Sequence, residues 1–496
     1  MKIRVLQLGR TDLSEETDLC PGTEWNYEPQ MDPEDPEYDA AIIDRTITDQ
    51  EAGILARIVR AHCLLLLDDI PLSAEMDAMM KSRCGIRIAR KDLKHFLEHE
   101  LRNYYGRPYG EKFDPHSLAV SPGFRGSVSW HGFTEAVLDG DFGEVMKQAA
   151  YWRGNIPVEE GQAIDFWLEY EKNGSVEIEL QIVQFLSGSV SSVQNVWTFT
   201  EEELKNPVTV DNQKKAGPLF VSLRAKGSGI LRITALHDRH SRRGIGAFLP
   251  GAQRLTTDSR EEIFTYFDPG DRKPPLCVYF SGYKTMEGFE GYRMMRRMGC
   301  PFVLVSEPRL EGGAFYLGSP EYEDMLKNAI QGYLDELGFT REQAVFSGLS
   351  MGTFGALYYG TMIRPAWMIV GKPLASLGNM AEAERLERPG GFPTSLDVLW
   401  KQYRSLEHSA AEKLNHRFWD RFDRTDWSGS TFIAAYMIED DYDADAYQQL
   451  ISHIGSSGAR VFGKGLHGRH NDDTSGIVGW FLRQYSRVLR EEYDRK

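Results

Sequence analysis

The stretch Gly348-Leu349-Ser350-Met351-Gly352 sets a serine between two glycines with the spacing G-x-S-x-G. That pattern suits a nucleophile held on a sharp turn between a strand and a helix. Apolar Ala344–Phe346 precedes it as a strand, and the small face of Gly355 and Ala356 continues into a helix. A serine hydroxyl needs a base to take its proton near neutral pH. In this kind of sheet the acid and then the histidine follow the nucleophile along the chain. The strand Phe432–Ile438 ends in a cluster of acids, from which Asp440 is the first choice, with Glu439 and Asp441 as alternatives. Beyond the strand Arg460–Phe462, a glycine-rich loop carries His470 as the expected base and His467 as its alternative. Attack on an ester creates an oxyanion that backbone N–H groups must stabilise. The residue after the nucleophile, Met351, offers one donor; the loop after Leu276–Phe280, at Gly282 and Tyr283, offers the second. Loss of one such donor typically costs ~3 kcal/mol of transition-state stabilisation. The chemistry implied is acyl transfer through a serine ester.

A chain of 496 residues exceeds one ordinary core, and its texture divides it in three. Residues 1–112 alternate strands (Ile3–Leu8, Ala40–Ile43, Cys63–Leu67, Ile86–Ala89) with polar helices, which predicts a small α/β, Rossmann-like domain. Its LQLGRTD turn has one glycine and no G-x-G-x-x-G, so no nucleotide site is expected there. Residues 113–260 read as a β-sandwich, with Asn173-Gly174 as a hairpin turn and Lys226–Gly229 as another. Trp130, Trp152, Trp167 and Trp197 fall there; sugar stacking is one use, but filling the core is the better reading for each. His237 and His240 read as part of a polar loop, and no metal site is expected. Residues 261–496 read as an α/β-hydrolase domain carrying the Ser-acid-His set. Its helix Glu321–Leu337 has Tyr322, Met325, Ala329, Tyr333 and Leu337 on one stripe, capped by Gly338.

A net charge of −16 argues against nucleic acid or an anionic membrane as partner. The five cysteines are scattered and make no CxxC pair, which fits a reducing, cytoplasmic setting. No run approaches the roughly 18 apolar residues of a membrane span, and the N-terminus lacks a signal-peptide pattern. No P-loop or other phosphate cradle is visible; a tightly bound cofactor is not expected, and the acyl donor is not identified.

FSGLSMGTFGALYYG around Ser350, GKPLASLGN at Gly371–Asn379, the MIEDDYD acid loop and GKGLHGRHND together resemble the accessory Sec protein 2 family. That family serves the SecA2/SecY2 system of Gram-positive bacteria, which exports serine-rich-repeat glycoprotein adhesins. The resemblance implies O-acetylation of N-acetylglucosamine on the adhesin, together with a separable role in export. It implies other accessory Sec proteins, the SecA2 motor and the adhesin as partners, and a cytoplasmic place with peripheral docking at the translocon. Ser350 and His470 match the family's nucleophile and base; the acid is Asp440 or its neighbour Glu439. Two other readings are a non-catalytic glycoprotein-binding adaptor and a free-standing carbohydrate esterase.

Overall fold

Strands buried on both faces need continuous apolar runs, and the N-terminal third supplies them. In the computed structural model, which describes residues 2–495 except 107–109, 190 and 456, these runs form a five-stranded parallel sheet. Its strands are β1 (Ile3–Gly9), β2 (Thr23–Tyr27), β3 (Ala40–Asp44), β4 (Leu64–Leu67) and β5 (Ile86–Ile88), in the order β2-β1-β3-β4-β5. Helices α1 (Asp49–Ile58) and α2 (Ala74–Ser82) begin at Thr48 and Ser73, whose hydroxyls accept backbone N–H bonds as N-caps. A short α3 (Leu93–His95) sits within an irregular helical run from Arg90 to Tyr104.

The middle third is a ten-stranded antiparallel sheet folded into two facing layers. It comprises β6 (Gly110–Phe113), β7 (Leu118–Val120), β8 (Arg125–His131), β9 (Glu135–Trp152), β10 (Ile156–Val158), β11 (Ala163–Lys172), β12 (Glu177–Phe185), β13 (Val193–Thr200), β14 (Val208–Asp211) and β15 (Gly217–His240). The long strands β9 and β15 run through both layers. The first half of β15 pairs with β12, and its second half pairs with β11. Inward residues of both halves share one core, including Leu180, Leu223, Leu168 and Leu231. Two expected turns prove to be bends. Lys226–Gly229 lies inside β15, where Gly227 and Gly229 take positive φ. Asn173-Gly174 follows that bend from the neighbouring position, so β11 and β12 continue along β15 and do not pair as a hairpin. Trp152 and Trp167 are buried, Trp197 is half-buried and Trp130 is exposed.

A two-residue pair, β16 (Gly246–Ala247) with β17 (Leu249–Pro250), leads into the third sheet. Its strands are β18 (Gln253–Thr256), β19 (Glu262–Asp268), β20 (Leu276–Phe280), β21 (Phe302–Ser306), β22 (Ala344–Leu349), β23 (Trp367–Gly371), β24 (Thr431–Met437) and β25 (Arg460–Leu466). The sheet therefore begins at Gln253, ahead of the boundary at 260. The order is β18-β19-β21-β20-β22-β23-β24-β25, parallel from β21 onward. From β20 the chain goes first to one side and then to the other. Such a reversal opens a crevice at the carboxyl ends of the strands, where open α/β sheets bind ligands. Helices α4 (Tyr292–Arg297), α5 (Pro320–Leu337), α6 (Met351–Ile363), α7 (Leu377–Leu386), α8 (Thr394–Tyr403), α9 (His408–Asp423), α10 (Ala446–Ile454) and α11 (Thr474–Tyr493) complete this unit. One apolar cluster joins α5, α6 and α9 to one sheet face, and another joins α11 to the opposite face. On α5 the buried stripe is Tyr322, Leu326, Ile330, Tyr333 and Leu334. Met325, Ala329 and Leu337 flank it, because spacings of three and of four both fit one wide helical face.

His237 and His240 lie in β15, not in a polar loop. The His237 imidazole is fully buried between Glu169 and Glu287. Arg239 bonds both Glu287 and Glu262, and Arg254 bonds Glu262. Three cations thus face three carboxylates where the sandwich meets the third sheet. Burial lowers the His237 pKa, but the Glu287 charge and the bonds to Glu169 and Glu287 outweigh it and raise it from 6.5 to about 9. A group raised on folding contributes stability that is complete below its unfolded value and lost as pH climbs through the folded one. Stability from this contact, on the order of 3 kcal/mol, is therefore expected to fade between about pH 6.5 and about pH 9. Urea melts across that window should show the loss, and His237→Gln should flatten it.

Candidate functional site

The crevice at the end of β22 holds Ser350. Its backbone sits at φ 51° and ψ −123°, a conformation that is strained for a residue with a Cβ. The flanking glycines have steric reasons. A Cβ on Gly348 would overlap the backbone of Gly352, and one on Gly352 would overlap the Phe280 carbonyl. The elbow thereby packs α6 directly against β20 and β22 and points the Ser350 hydroxyl away from the sheet.

Ser350 Oγ lies 2.7 Å from His470 Nε2, and His470 Nδ1 lies 2.9 Å from Asp440 Oδ2. A proton on Nδ1, donated to the carboxylate, leaves Nε2 free to accept from the serine hydroxyl. His470 and Asp440 are buried, so water screens this line of contacts poorly. Asp440 Oδ1 also accepts the Tyr442 N–H at 2.9 Å, which fixes the carboxylate. Asp441 Oδ1 accepts the backbone N–H of His470 at 3.0 Å, and its other oxygen pairs with Arg388 at 2.6 Å. The Tyr442 ring stacks on the imidazole at 4.4 Å, and the Arg388 guanidinium lies 4.5 Å from the centre of that tyrosine ring. Glu439 instead bonds His467 at 3.2 Å and the Gly468 N–H at 2.6 Å, on the surface. The structure thus brings Ser350, His470 and Asp440 together. Asp441 fixes backbone, and Glu439 with His467 forms a separate exposed pair.

The oxyanion loop differs from expectation at one residue. The Gly282 N–H is donated to Glu290 Oε2 at 2.6 Å, so it is not the second donor. Met351, the first residue of α6, and Tyr283 remain as the candidate pair. Glu290 acts as a brace: its own N–H bonds Ser281 Oγ at 3.2 Å, and the Ser281 carbonyl accepts the Tyr316 hydroxyl at 2.6 Å. Glu290→Ala is expected to slow the reaction of Ser350 with a fluorophosphonate by about tenfold or more, through misplacing one donor. Glu290→Gln retains an acceptor oxygen and should react nearly as the native chain does.

Several contributors were invisible to sequence reasoning. Asp443 Oδ2 accepts the N–H groups of Ala375 and Ser376, both at 2.8 Å, and so ties the 371–379 segment beside the acid loop. Burial outweighs those bonds and raises its carboxyl to about 6. Tyr283, Phe392 and Tyr442 form a chain of ring contacts near the imidazole. Helix α8 is tied to the sandwich, because Asp397 Oδ1 accepts from the Phe133 N–H at 2.9 Å and the Thr134 hydroxyl at 3.2 Å.

Glu169, His237 and Glu262 place potential metal-ligand atoms within 4.8 Å of one another. Both ring nitrogens of His237 already face carboxylates, and both oxygens of Glu262 face arginines. The protein's own cations therefore occupy the donor set of this cluster.

Residues 3–495 match the model of the family described as accessory Sec system GspB-transporter. The chain is 35% identical over 507 residues to an accessory Sec system protein of Streptococcus gordonii, covering 100% of this chain and 99% of that one. It is 40% identical over 407 residues to one from Staphylococcus aureus (strain NCTC 8325 / PS 47), covering 81% of this chain and 78% of that one. A solved chain of the Glycosylation Associate Protein (Gap123) complex from Streptococcus agalactiae superposes with a TM-score of 0.88 at 34% identity, covering 100% of this chain and 99% of that one.

Proposed function

Since this chain belongs to the accessory Sec system GspB-transporter family, we propose that it O-acetylates N-acetylglucosamine on serine-rich-repeat adhesins and also supports their export. The observation that supports catalysis most directly is the unbroken line from Ser350 Oγ through His470 to Asp440.

In the first half-reaction Ser350 Oγ attacks the acetyl carbonyl of a donor while His470 Nε2 takes its proton. The N–H groups of Met351 and Tyr283 hold the oxyanion. His470 returns the proton to the leaving group, and acetyl remains on Ser350 as an ester. In the second half, His470 takes the proton of a sugar hydroxyl, whose oxygen attacks the ester carbonyl. The Ser350 oxygen leaves and recovers that proton. Asp440 stabilises the imidazolium in both halves and keeps the proton-bearing nitrogen turned towards itself. Transfer prevails over hydrolysis when the sugar displaces water from this mouth.

The relative from Streptococcus agalactiae was solved within a complex, which supports assembly of this chain with other accessory Sec proteins. We place that assembly at the cytoplasmic side, where the SecA2 motor would receive the modified adhesin. Among the described residues, no helix is long and apolar enough to cross a membrane. Mass spectrometry of adhesin glycan from wild-type and Ser350→Ala cells tests this reading. Loss of one acetyl mass per modified sugar is expected; unchanged acetylation in the variant would refute the enzymatic role.

A further inference from the structure

A half-open cavity lies between the N-terminal layer and the sandwich, lined by residues well apart in the sequence from the Ser350 elbow. It measures about 370 Å³, and Ile3, Arg102, Ile156, Ile164, Asp238 and Arg243 are among its walls. Such a volume lies at the lower end of the range for small-molecule sites, about 300–1,000 Å³.

Its polar groups are incomplete. Asp238 is 1% exposed, yet its Oδ1 has no hydrogen-bond partner among the described residues. Alternation along β15 turns it away from the ion network that occupies its neighbours His237 and Arg239. Burial, with the Glu111 and Glu287 charges, raises its carboxyl to about 7, so it can accept from a hydroxyl or donate to one. Arg102 likewise has a buried Nε without a partner, and no ion pair among the described residues engages its charge. Arg243, on the same wall, is held by Asp211 at 3.0 Å and adds positive potential. Among the described residues, one cation without an ion pair and one acid without a hydrogen bond thus share a cavity and do not bond each other. Buried polar groups of this kind cost stability unless water or a ligand completes them.

We propose that this cavity binds a small hydroxylated anion of the sugar-phosphate class. Arg102, assisted by Arg243, takes the phosphate. Asp238 takes a ring hydroxyl, and Ile3, Ile156 and Ile164 pack against the carbon face. The site makes no use of Ser350, His470 or Asp440.

Calorimetric titration of the full chain with glucose-6-phosphate tests the assignment, with glucose and inorganic phosphate as partial ligands. The sugar phosphate is expected to bind with a Kd below about 1 mM and at least about tenfold more tightly than either partial ligand. Arg102→Met and Asp238→Asn should each weaken it by about tenfold, and Ser350→Ala should bind as the native chain does. Because the wild-type titration decides first, poor folding of a variant does not rescue the proposal. No heat from glucose-6-phosphate at about 10 mM, equal affinity for inorganic phosphate, or full affinity in both cavity variants overturns it. A chain that binds the sugar phosphate but never acetylates would sink the catalytic reading and leave this one standing.

Discussion

Purified Ser350→Ala is expected to lose about 10⁶-fold in acyl-transfer rate, while adhesin export in cells keeps most of its wild-type level. The large factor follows from the covalent route. Without Oγ there is no ester intermediate, and only oxyanion stabilisation and binding remain. The fold should tolerate the change, because among the described residues the Ser350 side chain bonds only His470, while its backbone N–H is held by the Gly371 carbonyl at 2.9 Å. Alanine keeps the same Cβ at the same φ, so the elbow gains no new strain. Rate measurements on a small acetyl ester, beside secretion assays in the same strain, separate the two roles. Equal loss of both would contradict the separation of catalysis from export.

Asp440→Asn is expected to lower the rate by about 10⁴-fold with little change in stability. An asparagine amide can donate to His470 Nδ1, which shifts the imidazole proton to Nε2. That nitrogen then cannot accept from the Ser350 hydroxyl. His470→Ala removes the base altogether and should approach the Ser350→Ala rate, since members of such a set fail together. Glu439→Gln and His467→Ala are the informative controls. Both belong to the exposed pair, and both should stay near the wild-type rate. A large loss in either control, with Asp440→Asn active, would mean that the acid was misassigned.

What was legible in the sequence was local. The elbow is five contiguous residues whose glycines are demanded by close backbone approach, Gly348 to the turn itself and Gly352 to β20. The apolar strands β4 and β24 declare themselves by composition. The acid was harder, because Glu439, Asp440 and Asp441 are adjacent and differ only in which way the chain turns after β24. That turn is set by contacts from distant segments, such as Asp443 with Ala375 and Ser376. Gly282 misled for a similar reason: its N–H looks available in sequence, but Glu290 closes on it. Glycines in Lys226–Gly229 signalled a turn, whereas in a long strand crossing two layers they serve a bend. The HDRH stretch looked polar and therefore exposed. Its carboxylate partners Glu169, Glu262 and Glu287 come from three other segments, and only the assembled fold shows that they bury it.

We propose that Ser350 is a nucleophile activated by His470. Mass mapping of the purified chain after fluorophosphonate treatment tests it most directly. One adduct on Ser350 is expected, absent after denaturation and absent in His470→Ala. A folded chain that stays unlabelled, or carries its adduct on another residue, would contradict that claim.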